Sequence, residues 1–258
     1  MRQLSIFQKL LVFLFLGVIL FYSWNWLAES DSFYHLKAGE LIWQTKSIPH
    51  TDVFSYTAYG KPWITHEWLA ELVFYGVYAA TGFGGLIWFV AALAALTYYF
   101  VIRTAIEARA NLYFTIIITF LLVYLTFELW VPRPQTLAFL CLALLVYFLE
   151  RYRRDPRKWT LVGAVLTVWF WANVNASFIL GIVILVFYSL AEFMKQRWPL
   201  ALDVPPQRVR ADHLWLATIG SIAISLINPN SYKIFLYSAY IKPVVATLQV
   251  MEWKSIIY

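Results

Sequence analysis

Three of the four histidines, His35, His50 and His66, lie within residues 28–83, together with Asp31, Asp52, Glu67 and Glu71. Asp31 and His35 are four apart, a spacing that puts both on one face of a helix. A carboxylate so placed is a general base if it reaches the proton it removes, or simply the N-cap of the helix it opens. Asp31 and His35 are also the first choice as ligands for a divalent cation, with His66, Glu67 and Glu128 as further donors. Mixed imidazole and carboxylate sets suit Mn or Zn, and oxygen sets suit Mg or Ca. Arg133, between Pro132 and Pro134, offers a guanidinium suited to a phosphate, or else snorkels towards lipid headgroups. Asn173, Asn175 and Asn228 add neutral donors and acceptors, although Asn at a helix end is also an ordinary cap. His50, beside Pro49, reads as a turn residue. The chain has no glycine-rich phosphate loop, GxSxG, HExxH or CxxC, so nucleotide hydrolysis finds no candidate residues.

The elements that must hold these groups follow from local pattern. Asp31–Gln44 reads as a helix of about four turns, capped by Ser30 or Asp31, with Phe33, Leu36, Leu41 and Ile42 as its apolar side. A loop follows, with a turn at Tyr59–Trp63. Thr65 then caps a second helix over 66–82, which sets Glu67 and Glu71 apart from its aromatic and aliphatic residues and suits the plane of a membrane surface.

That surface is implied by composition. Of 258 residues 62% are hydrophobic and 13% charged, against about 45–50% and about 25% in soluble domains. A mean hydropathy of +0.66 excludes a water-soluble globular protein. Seven apolar runs read as spanning helices: 7–27, 84–103, 112–127, 134–149, 158–174, 177–194 and 213–229. If 66–82 lies flat, 13 of the 20 Lys and Arg residues fall on one side of the membrane, the dense Arg151–Lys158 cluster among them. The positive-inside rule makes that side cytoplasmic. The N-terminus is then inside and the C-terminus outside, and every polar loop cluster shares the face of Asp31 and His66. The basic cluster serves orientation and anionic-lipid contact, with no nucleic acid partner. The first run is too long for a signal peptide and lacks a small-x-small cleavage site. Trp24, Trp26, Trp130, Trp159, Trp169, Trp171 and Trp198 lie near helix ends, as interfacial belts do. Cys141, the one cysteine, packs in a span and allows no disulfide.

Six short patterns occur in order: Asp31-x-x-x-His35-x-x-x-Gly39; Pro49-x-x-Asp52-x-Phe54-Ser55; Trp63-x-x-His66-Glu67-Trp68-Leu69-x-Glu71; Arg133-Pro134-Gln135; Trp171-x-Asn173; and Asn228-Pro229. Together they resemble the bacterial integral-membrane glycosyltransferases of the GT-C superfamily, which includes oligosaccharyltransferase catalytic subunits, protein mannosyltransferases and aminoarabinose transferases. The resemblance covers nearly the whole chain. It implies an all-α polytopic bundle of about seven transmembrane helices, plus two interfacial helices in the first external loop, 28–83. Residues 1–258 form a single module of the inner membrane, and 230–258 an extracytoplasmic C-terminal segment. The implied activity moves a sugar from a polyprenyl phosphate or diphosphate carrier to an acceptor on the outer face. Asp31, His66 and Glu67 are the expected catalytic positions. His35, Glu128, Arg133, Gln135, Asn173, Asn175 and Asn228 are the expected substrate contacts. Asp31 and His35 are the expected metal ligands, for Mg or Mn. Expected partners are the lipid-linked donor, membrane lipids and other membrane subunits. The chain is shorter than enzymes of that superfamily, and the loop at Asn173-Val-Asn175-Ala lacks the histidine expected after the Trp-x-Asn element. The alternative reading is a non-catalytic subunit that keeps this scaffold within a larger membrane complex.

Overall fold

The computed structural model describes residues 5–22, 30–198 and 209–237, and is all-helical over them apart from loops and one isolated bridge. The expected span end 23–27 with Trp24 and Trp26, the charges Arg2, Asp203 and Arg208, and residues 238–258 of the C-terminal segment lie outside the described residues. In chain order the helices are α1 (Ile6–Tyr22), α2 (Ser30–Thr45), α3 (Trp68–Glu107), α4 (Leu112–Thr126), α5 (Pro134–Arg154), α6 (Lys158–Val174), α7 (Phe178–Arg197) and α8 (Ala211–Ser225), with a 3-10 turn at Phe127–Leu129.

Each expected apolar run corresponds to a helix, but the count of seven spans does not follow. Among the described residues four helices are long and apolar enough to cross a membrane: Trp68–Glu107, Leu112–Leu129, Pro134–Arg154 and Phe178–Arg197. By length and composition they fit a membrane protein. α6, with 17 residues, and α8, with 15, rise only about 22–26 Å at 1.5 Å per residue. α4 carries its apolar side chains outward, with Phe114, Ile117, Phe120 and Leu125 all exposed, the pattern of a helix whose solvent is hydrocarbon.

α3 is two helices joined at a corner. Gly82 has φ 69° and ψ −170°, a conformation essentially confined to glycine. The break separates 68–81 from 83–107, where the sequence placed a boundary between a surface helix and a span. α5 packs between α3 and α6, α8 covers α6 and α7, and α1 lies on α3. Leu145, Trp171, Phe178, Leu185 and Leu214 centre the larger core. A smaller one joins Ile19, Val90, Tyr98 and Trp130. Trp130 and Trp171 are therefore core residues, 3% and 1% exposed, and not members of an interfacial belt, while Trp159 and Trp198 are exposed as expected. Cys141 is buried and free, as packing requires.

Polar groups gather at the two ends of this bundle. At the end where α3 finishes, Arg151 donates to Glu107 (3.0 Å), Arg153 donates to Glu150 (2.7 Å) and lies 3.5 Å from Glu192, and Tyr152 shares a hydrogen bond with His213 (3.0 Å). Part of the basic cluster thus ties α3, α5 and α7 together and is not simply offered to lipid, while Tyr152 adds α8.

At the other end α2 lies on the first half of α3. Its buried face is Ser32, His35, Leu36, Ala38, Gly39 and Ile42, with the i, i+3, i+4, i+7 spacing of one helix side. Phe33, expected there, is half exposed instead and meets Phe83 edge to face. Gly39 sits directly on the α3 backbone: a Cβ at this position would run into the carbonyl of Glu71 and come within 2.8 Å of Tyr75 Cβ. Gly39→Ala gains about 1 kcal/mol of helix propensity, but a backbone neighbour cannot yield, and overpacking costs about 1–3 kcal/mol. The variant should unfold at a lower temperature in detergent; an unchanged midpoint would mean that α2 does not sit this close.

Candidate functional site

The chain between α2 and α3 folds back on itself. Asp52 N–H donates to Lys61 O (2.9 Å), Trp63 N–H to His50 O (2.8 Å), and Thr51 bridges Pro62. The Asp52 carboxylate accepts from the backbone N–H of Phe54 (2.8 Å) and Ser55 (2.9 Å) and from the Ser55 hydroxyl. These bonds, the hydroxyl first, stabilise the charged form and hold its pKa below the usual carboxylate range. The Pro-x-x-Asp-x-Phe-Ser pattern is thus a turn built on Asp52, and His50 is an exposed member of it, as expected. Thr65 does not cap α3. Its hydroxyl donates to Pro49 O (2.5 Å), Glu67 occupies the N-cap position, and no side-chain cap bond is made there.

This return brings His66 and Glu67 to the end of α6. Asn175 Nδ2 donates to Glu67 Oε1 (2.7 Å), and His66 Nε2 lies 3.6 Å from the same oxygen while its ring stacks on Tyr237 at 3.8 Å. Asn173, 2% exposed, accepts from Trp68 Nε1 (3.1 Å) and Asn228 Nδ2 (3.1 Å) and donates to Trp169 O (2.9 Å). Asn228 also donates to Ala172 O (2.8 Å), and Asn230 to Thr65 O (3.0 Å). The three asparagines expected as substrate contacts therefore join α3, α6 and the segment after α8.

His35 and Glu71 meet across the Gly39 contact, with Nδ1 and Oε1 3.3 Å apart and both residues buried. Glu71 thus lies under α2 and not on an open polar side. Glu71 Oε2 is buried without a hydrogen-bond partner among the described residues. One donor atom each from His35, Glu67 and Glu71 lie within 4.8 Å of one another. Asp31 stands outside this group. Although it shares a helix face with His35, its carboxylate accepts from Arg133, which reaches it from the N-cap of α5. The Asp31 side chain is 51% exposed and that of Arg133 20%. The expected Asp31–His35 metal pair is thereby divided between two different partners. Glu128 and Gln135 are exposed, within the 3-10 turn and in the first turn of α5.

Two components were not foreseen from the sequence. Glu71 stands in the third pattern with no role of its own there, although its i, i+4 relation to Glu67, like that of His35 to Gly39, carries the signal. Tyr34 packs against His35, Phe54 and Trp63, with ring centroids 5.2, 5.8 and 6.4 Å away. Desolvation, with the carboxylates of Glu71, Glu67 and Asp52, pushes its phenol above the usual range.

No family model, curated protein or solved structure matches the chain. What the site can do rests on its own geometry: an exposed carboxylate–guanidinium pair beside a buried imidazole–carboxylate group, framed by asparagines. The frame is testable. Asn173→Ala removes the acceptor for Trp68 and for Asn228 and should cost about 1–3 kcal/mol of stability. Asn175→Ala, at a half-buried position, should cost less. Equal thermal midpoints for the two variants would contradict the bridging role of Asn173.

Proposed function

We propose that the chain is a membrane glycosyltransferase module that moves a sugar from a polyprenyl phosphate or diphosphate carrier to an acceptor at the extracytoplasmic surface. The observation that carries this reading is the Asp31–Arg133 pair. It joins the first turn of α2 to the N-cap of α5, and its carboxylate is half open to solvent. Asp31 takes the proton of the acceptor hydroxyl. The acceptor oxygen bonds to the sugar carbon, the bond from that carbon to the carrier phosphate breaks, and Arg133 holds the departing phosphate. A guanidinium has five donors in a planar fork and can serve a carboxylate and a phosphate together. His66 and Glu67, held by Asn175 and Tyr237, shape the donor side of the site.

An apolar space walled in part by α5, the helix that Arg133 caps, supports the same reading. A cavity of about 360 Å³ lies between α3, α4 and α5, lined by Tyr98, Val101, Leu122, Leu129, Trp130 and Phe139. Leu129 and Trp130 at its wall are three or four residues before Arg133 in the chain. An isoprenoid chain could lie there with its phosphate at Arg133. In this reading the seven helical runs all span, the short α6 and α8 included, the N-terminus is cytoplasmic, and the Asp31 end faces outward from the inner membrane. The resemblance to GT-C enzymes adds to it. A non-catalytic subunit of a larger membrane complex is favoured by one observation, that Asn173, Asn175 and Asn228 are spent on helix-to-helix bonds.

Native mass spectrometry of the chain, extracted gently from its own membrane, separates the two. Transfer requires a co-purified polyprenyl phosphate or glycolipid that is lost in Arg133→Ala. It also requires that Asp31→Asn keep the fold and the lipid while losing turnover. Turnover retained in Asp31→Asn would remove the mechanism, and a fixed stoichiometry with other subunits and no such lipid would replace it with the structural role.

A further inference from the structure

We infer that His35, Glu67 and Glu71 form a binding site for one divalent transition-metal ion, Zn²⁺ or Mn²⁺, at the α2–α3 contact. Their three donor atoms lie within 4.8 Å of one another, and the groups come from α2 and from the N-cap and first turn of α3, helices that Gly39 brings backbone to backbone. The ligand set differs from the Asp31–His35 pair expected from spacing, because Asp31 is engaged by Arg133. The observations behind this site are separate from those behind the sugar-transfer reading, although Glu67 belongs to both.

The local chemistry calls for a cation. Glu67 at the N-cap of α3 and Glu71 in its first turn bring two carboxylates within 4.8 Å of each other, a repulsion that a cation between them relieves. Glu71 is 2% exposed, and its Oε2 has no hydrogen-bond partner among the described residues. A buried carboxylate oxygen left bare is costly. A proton on His35 does not resolve this. The Nδ1–Oε1 separation of 3.3 Å is longer than the roughly 2.7–2.9 Å of a charge-assisted bond, and one positive charge faces two carboxylates. A divalent ion among the three groups neutralises both carboxylates and takes the imidazole lone pair. The donors must draw in to about 3.3 Å apart, the spacing set by Zn–N and Zn–O bonds near 2.0–2.1 Å in a tetrahedron, a movement within reach of side-chain rotation.

One nitrogen and two carboxylate oxygens suit Zn²⁺ or Mn²⁺ better than Mg²⁺, which prefers oxygen and keeps its waters. Three protein ligands leave a further coordination position, as in zinc sites that bind water or substrate. The outer groups are in place. Asn175 Nδ2 fixes Glu67 Oε1 at 2.7 Å, as second-layer partners orient metal ligands elsewhere. Ser32, one helical turn before His35 on the same buried face, also has a hydroxyl without a hydrogen-bond partner among the described residues.

The test uses the full chain in detergent, stripped with a chelator, reloaded with Zn²⁺ alone or Mn²⁺ alone, desalted and assayed for metal by mass spectrometry. The expected result is about one ion per chain, retained against excess Mg²⁺, with a rise in thermal midpoint on loading. Asn175→Ala should weaken the affinity about 10–100-fold, and His35→Gln and Glu67→Gln should weaken it further. Arg133→Ala should leave it unchanged. Should His35→Gln fail to fold, Glu67→Gln and Asn175→Ala, at half-buried positions, decide the question. Substoichiometric Zn²⁺ and Mn²⁺ in the unaltered chain would overturn the site, as would unchanged affinity in a folded Glu67→Gln. Metal retained where no polyprenyl lipid co-purifies would sink the sugar-transfer reading and leave this site standing; the converse would do the reverse.

Discussion

Everything at the polar end of the bundle depends on how closely α2 approaches α3. At Gly39 the two backbones meet without a side chain between them. That contact sets the height of His35, one turn earlier, against Glu71, and it fixes where the first turn of α2 projects. Asp31 can then meet Arg133 at the start of α5, a residue separated from it by most of the first half of the chain. Any side chain at position 39 would lift α2 off α3 and open both pairs together. The loop that closes this arrangement is also specified locally. Asp52 gathers the N–H groups of Phe54 and Ser55 and the Ser55 hydroxyl, so the excursion from Pro49 to Thr65 returns on itself without a sheet.

A second constraint is the price of polar groups in an apolar bundle. Helix ends leave backbone donors and acceptors that cannot be abandoned in hydrocarbon. At the Asp31 end the chain meets this mainly with asparagines, each a donor and an acceptor without charge. Asn173 joins the indole of Trp68 to Asn228, and Asn230 reaches the carbonyl of Thr65. At the opposite end it uses arginine and glutamate, where Glu107, Glu150 and Glu192 neutralise Arg151 and Arg153. Charges spaced along one helix thus become cross-links between several.

What could be read in the sequence was whatever depends on near neighbours. The helix over 31–44, the turn at 59–63, the break near residue 82 and the polar character of the first loop all come from spacing, capping types and glycine. What could not be read depends on which neighbour covers a residue. Trp130 and Trp171 have the composition of an interfacial belt, yet α3, α5 and α7 close over them. Glu71 reads as one of a polar pair on a surface helix, and only the arrival of α2 buries it. Asp31 and His35 share a face by periodicity, but a helix face a turn long can meet two different partners, and here it does. The number of spans was illegible for a related reason: an apolar run of 15–17 residues is compatible with a short span or with a helix buried among longer ones.

The division between Asp31 and His35 also orders the chemistry. Asp31 and Arg133 are joined at a partly open position, where water weakens the attraction and a ligand phosphate could compete for the guanidinium at modest cost. His35, Glu67 and Glu71 are held at a packed helix contact with Asn175 behind them, where the dielectric is low and exchange of partners is expensive. An exchangeable ion pair suits a step that must open and close with each ligand. A fixed, electron-rich cluster suits a resident cation, and its charge would be felt at Tyr34, whose phenol lies in the field of the same carboxylates. Tyr34 belongs to α2, as Asp31 and His35 do. One helix thus carries the exposed pair, the buried cluster and the aromatic wall against the returning loop, so a displacement of α2 would alter all three at once.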